Sequence, residues 1–188
     1  MHWHRIFGCA MLAAVLFRLA WGIAGAQTAR FVDFVRSPAE VWRYVRKPHG
    51  VPQYGSSSTP IGHNPLGGLS ILAMLGLLLA QTLLGLFAVN VDGAASGPWA
   101  RWVSFDTGRR LARLHAANFH LLLALVTLHL GAIAYYAVAR GDNLVPAMVH
   151  GFKSRTVGEN PPRFVSGRRA LWLSIGILVA VAFLVSLK

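Results

Sequence analysis

Two histidines, His115 and His129, stand fourteen residues apart inside one apolar stretch. On a helix that interval leaves them within about 40° of a common face and about 21 Å apart along the axis. Ionisable groups in a bilayer are costly, and where they persist they usually face the bundle interior and a ligand or ion. The pair therefore sets one imidazole near each membrane surface, where two flat metal cofactors could be ligated at opposite ends of one bundle. A stack of that kind would move electrons across the membrane. His4 and Arg18 repeat the fourteen-residue interval on an earlier apolar stretch. An outward-facing His4 at the depth of His115 gives two axial nitrogens for one iron. Arg18, at the depth of His129, would pair with a haem propionate rather than stay an uncompensated charge.

The remaining histidines fit this geometry less well. His120, five positions past His115, points about 140° away and reads as a packing or lipid-interface residue. His49 and His150 fall in loops, and His2 competes with His4 in a poorer register. A single membrane histidine is often only a hydrogen-bonded packing residue. Here the repeated interval and the matching Arg18 favour metal ligation.

The elements that must position these residues are membrane helices. Of 188 residues, 55% are hydrophobic and 13% charged, more apolar surface than a globule of this size can hide. Crossing the hydrocarbon core takes about 20 mostly apolar residues as helix, because lipid offers the backbone no hydrogen-bond partner. Four stretches qualify, at about 6–26, 66–91, 114–139 and 170–187. The expected fold is an all-α transmembrane helical bundle, a single integral membrane domain over 1–188, with four spans plus a short interfacial helix. That extra helix is expected within 31–46, where aromatic and aliphatic residues alternate with arginines and Ser37-Pro38 suits a helix start. The last span carries no ionisable residue before Lys188 and reads as a packing or anchoring helix.

The net charge of +12 sits between the apolar runs, the pattern of loops facing lipid head groups rather than of a nucleic-acid binder. Five Lys or Arg between 30 and 61 and six between 140 and 169 outnumber four between 91 and 113. The first and third loops are therefore expected in the cytoplasm, with both termini outward. The single Cys9 excludes an intrachain disulfide and a thiolate metal cluster.

At these residues the chain resembles the bacterial cytochrome b561 family, which includes the cytochrome b of nickel hydrogenases. The resemblance rests on HRIFG at 4–8, FRLAWG at 17–22, GHNPLGG at 62–68, LHAANFHLLLALVTLH at 114–129 and GDNLVPAMVHG at 141–151. It implies a helical bundle in the bacterial inner membrane with two haem b groups, passing electrons between the quinone pool and a partner redox protein such as a c-type cytochrome or a hydrogenase. Carried over, it implies an outer haem held by His4 and His115, and an inner haem held by His129 with a histidine on an earlier helix. Relatives begin with a helix bearing an Arg-Phe-His-Trp-like motif. The expectation is thus a chain that lacks the first transmembrane helix and the second site's partner ligand, with one or two haems bound. Ala116 stands where relatives often carry Glu. His63, at a helix entrance in GHNPLGG, is as consistent with a structural role as with a haem contact. Gly8, Gly22, Gly25, Gly67, Gly68, Gly76 and Gly85 would let helices or a porphyrin face approach the backbone closely.

An alternative is a non-haem membrane anchor or transporter-like helical protein in which the histidines pack or relay protons. Catalysis by the chain itself is not expected, since no carboxylate sits in a helix interior and no serine or cysteine has a base at a recognisable spacing. A cleavable leader ending at Ala24-Gly25-Ala26 would remove His4, but Arg18 inside its apolar core argues against one. Trp99, Trp102 and Phe105 suit an interfacial belt or a docking surface equally.

Overall fold

In the computed structural model the described residues are 2–46, 65–91, 95–139, 141, 145–150 and 163–186, with the backbone only for 147–149. They form seven α-helices: α1 (His2–Ala24), α2 (Phe31–Phe34), α3 (Pro38–Arg46), α4 (Pro65–Phe87), α5 (Phe105–Ala139), α6 (Val145–His150) and α7 (Gly167–Ser186). No strand occurs among the described residues beyond an isolated bridge between Val89 and Ser96. Four helices, α1, α4, α5 and α7, are long and apolar enough to cross a membrane. The all-α bundle with four spans is thus the fold.

Each boundary has a local cause. The interfacial segment divides in two where the sequence suggested one helix. Residues Val35 and Ser37 interrupt it, and α3 starts on a reciprocal cap in which Glu40 N–H donates to Ser37 Oγ and Ser37 N–H donates to Glu40 Oε2, both at 3.3 Å. α5 begins nine residues before the expected apolar boundary at 114, because Ser104 Oγ accepts the Thr107 N–H at 3.2 Å and caps the helix there. At 35 residues it runs about 52 Å, well beyond a hydrocarbon core of about 30 Å. Its first turns, carrying Arg109, Arg110 and Arg113, can therefore stand clear of lipid while His115 enters it.

α4 is the axis of the bundle. It packs against α1 on one side and α5 on the other, α7 packs on α1, and α1 and α5 do not pack along their length. The core gathers Leu12 and Ala13 of α1, Leu86 of α4 and Val181 of α7, with Cys9, Leu16, Leu79, Ile177 and Trp99 around them. Most large apolar residues lie outside this core, Leu128 at 70% exposure and Phe183 at 62% among them. Lipid acyl chains are the solvent such surfaces require.

After α4 the chain folds back over that helix's last turn. Trp99 N–H donates to Leu86 O at 2.9 Å and Gly97 N–H to Ala88 O at 2.8 Å, so carbonyls at the helix end find partners. A Cβ at Gly97 would overlap the carbonyl oxygens of Gly85 and Leu86, so only glycine fits there. Trp99 Nε1–H also donates to Leu184 O at 2.9 Å, which ties this turn to the end of α7.

Candidate functional site

α5 turns a single stripe toward α4. His115, Asn118, Leu122, Leu125, His129, Ile133 and Tyr136 are half-buried, while neighbours such as Leu121, Leu128 and Tyr135 are exposed. The intervals of three and four are those of one helix face. His115 and His129 therefore share a face, as their spacing predicts. α4 answers with its own stripe of Ser70, Leu77, Gln81 and Gly85, every one of which touches a polar side chain of α5.

At one end of the bundle, His4 in the first turn of α1 meets His115. Their ring centres are 6.0 Å apart with planes at 85°. Two imidazoles bound to one metal through nitrogens at about 2 Å have ring centres about 6 Å apart, so the pair is spaced as axial ligands are. His115 Nδ1 lies 2.9 Å from Gln81 O. A carbonyl only accepts, so Nδ1 carries the proton and Nε2 carries the lone pair, which here accepts from the Gln81 side-chain amide and would pass to a metal only once that amide turns away. The Gln81 side-chain amide nitrogen lies 3.2 Å from that Nε2. Asn118 Nδ2 in turn donates to Gln81 Oε1 at 2.6 Å and to Leu77 O at 3.0 Å.

At the other end, Arg18 places its guanidinium carbon 5.0 Å from the Phe31 ring centre and 5.9 Å from that of Phe34. Its Nη1 is buried and has no hydrogen-bond partner among the described residues. A half-buried guanidinium with a vacant, buried donor in an apolar bundle fits an anionic group such as a carboxylate. His129 Nδ1 is 3.2 Å from Ser70 Oγ. Phe34, which faces Arg18, also lies over Gly68, where a Cβ would stand 2.9 Å from the Phe34 carbonyl oxygen.

Other expected positions fall out differently. His120 is exposed beside Phe119, in keeping with an interface residue. His2 is exposed against Trp3, away from the His4–His115 pair. His150, expected in a loop, ends the short helix α6. His63 and His49 lie outside the described residues. Of the seven glycines noted in the sequence, Gly22, Gly25, Gly68 and Gly85 sit at close approaches, whereas Gly8 and Gly76 have open space. Gln81, Asn118 and Ser70 were not anticipated as site residues. Their signal was available in Ser70, Gln81 and Gly85, polar or small residues on one face of an otherwise apolar run, and in Asn118 one turn after His115.

Among the described residues no three or more His, Cys, Asp or Glu cluster as a metal cage. The site supplies two adjacent imidazoles and a guanidinium whose Nη1 has no hydrogen-bond partner among the described residues. That donor set suits a metal whose remaining positions come from a planar, carboxylate-bearing macrocycle.

Four helices long and apolar enough to cross a membrane, with His4 of one brought against His115 of another, define the class as a membrane helical bundle. Residues 1–151 match the family model for prokaryotic cytochrome b561, and the chain belongs to that family. It is accordingly a multi-pass membrane b-type cytochrome of electron transfer that binds haem b. No match was found among curated proteins or solved structures.

Proposed function

We propose that the chain transfers electrons between the quinone pool and a partner redox protein, a c-type cytochrome or a hydrogenase, in the bacterial inner membrane. The carrier is a haem b held axially by His4 and His115. The 6.0 Å separation of those two rings is the observation that carries the reading. Haem, when bound, supplies the one-electron couple of its iron.

Each residue then has a defined task. His4 and His115 would hold the iron between them, which would leave no place for oxygen and favour outer-sphere electron transfer. Gln81 O holds His115 in the tautomer with its proton on Nδ1. Arg18 offers its vacant Nη1 to a propionate. His129, on the same face of α5 fourteen residues on, would serve a second haem. His63 is kept as a haem-contact candidate at the entrance to α4.

A reduced-minus-oxidised absorption spectrum of the purified full chain tests this. A b-type signal that disappears in His115→Ala, and that a soluble quinol can reduce in the unaltered protein, is the expected result. A colourless protein, or a His115→Ala variant with the full signal, contradicts it.

A further inference from the structure

α4, which carries none of His4, His115 and His129, holds the ring of His115. Leu77, Gln81 and Gly85 recur every four residues on α4, so they lie in one row along the face turned to α5. Gly85 makes room: a Cβ there would stand 3.0 Å from His115 Cε1 and 3.3 Å from Nδ1. Gln81 contributes its backbone oxygen, which accepts the Nδ1–H at 2.9 Å. Its side chain does not hang free either: Asn118 Nδ2 donates to Oε1 at 2.6 Å and to Leu77 O at 3.0 Å, and the Gln81 amide nitrogen lies 3.2 Å from His115 Nε2, a contact that would give way when that nitrogen binds iron. Both amide protons of Asn118 are thereby used, one on each rung of the row.

Resting on the haem reading above, we propose that Gly85, Gln81 and Asn118 are positioning residues for His115 that lower the reduction potential of the haem it ligates. The physical chain is short. An imidazole whose Nδ1–H is held by a carbonyl is a more basic ligand at Nε2, and a more basic axial ligand favours the ferric state. Loss of the close approach at Gly85, or of the amide that anchors Gln81, weakens that hold and eases reduction. Bare packing does not account for the arrangement, since a leucine at 81 or 118 would fill the helix contact without hydrogen bonds.

Potentiometry with optical detection and electron paramagnetic resonance of the ferric form, on the haem-loaded full chain, provide the test. Gly85→Ala and Asn118→Leu are compared with Gly76→Ala, a position with nothing within 4 Å of the added carbon. The expected result is an upward shift in midpoint potential and altered g values in the first two at unchanged haem content, with Gly76→Ala like the unaltered protein. Should Gly85→Ala fail to accumulate or to hold haem, Asn118→Leu decides by the same criterion. Potentials and g values identical to the unaltered protein in the variants that load, or an equal shift in Gly76→Ala, overturn the positioning role. An unaltered chain without a b-type spectrum would instead overturn the haem reading on which the proposal stands.

Discussion

Ser70 of α4 and His129 of α5 meet with Oγ 3.2 Å from Nδ1, at the opposite end of the same helix pair that joins Gln81 to His115. α4 thus contacts both histidines through the same ring nitrogen, and at His115 the Gln81 side-chain amide reaches Nε2 as well. A neutral hydrogen bond between membrane helices contributes about 0.6 kcal/mol on average. Ser70→Ala is expected to lower the unfolding free energy in detergent by that order, with no change in the haem signal that depends on His115. Equilibrium unfolding followed by circular dichroism, beside the absorption spectrum, checks both halves.

Arg18 yields a prediction whose sign depends on haem. Its Nη1 is buried without a hydrogen-bond partner among the described residues, and an unpaired buried donor costs roughly 1–3 kcal/mol. Arg18→Met should therefore leave the haem-free protein as stable or more stable. In the haem-loaded protein the same substitution removes the group that meets a propionate, so haem should dissociate faster, by about tenfold for each 1.4 kcal/mol of pairing lost. Transfer of haem to an apoprotein scavenger measures that rate, and thermal unfolding with and without haem measures the rest.

How far this arrangement can be read from the chain differs between its parts. The four spans follow from apolar length, and the shared face of His115 and His129 follows from their interval, because both depend only on helix geometry. The start of α5 at Phe105 does not follow from hydropathy: Ser104 caps a charged stem that projects past the apolar run. Hydropathy marks where lipid begins, and a cap marks where the helix begins. The split between α2 and α3 is likewise a matter of capping at Ser37. The partnership of Gln81 with His115 depends on which faces of α4 and α5 meet, a tertiary choice that neither helix's own pattern states. The orphaned Nη1 of Arg18 was foreshadowed by its charge within an apolar run, whereas its enclosure by Phe31 and Phe34 comes from the chain doubling back after α1.

Gly22 tests that doubling back. A Cβ there would run into the Phe31 ring, the same ring that covers Arg18. Overpacking of this kind costs about 1–3 kcal/mol. Gly22→Val should lower stability by that amount, whereas Gly8→Val, with nothing within 4 Å of the Gly8 position, should not. Unfolding midpoints of the two variants in one detergent give the comparison.

Trp99 closes the core at the His4 end, edge-on to Phe87 at 5.5 Å and hydrogen-bonded to Leu184 O. Trp99→Phe keeps the apolar body and removes the Nε1–H, for a loss of about 0.5–1.5 kcal/mol. Trp99→Ala removes both and is expected to cost roughly 3–5 kcal/mol. Denaturant titration of the pair separates the bond from the packing.

The pairing of His4 with His115 is tested most directly by the spin state of ferric haem in His4→Gly, read by electron paramagnetic resonance with and without added imidazole. A six-coordinate low-spin signal in the unaltered protein, converted to high-spin by His4→Gly and returned to low-spin by imidazole, is the predicted result. A His4→Gly protein that keeps the original low-spin signal without imidazole would contradict the account.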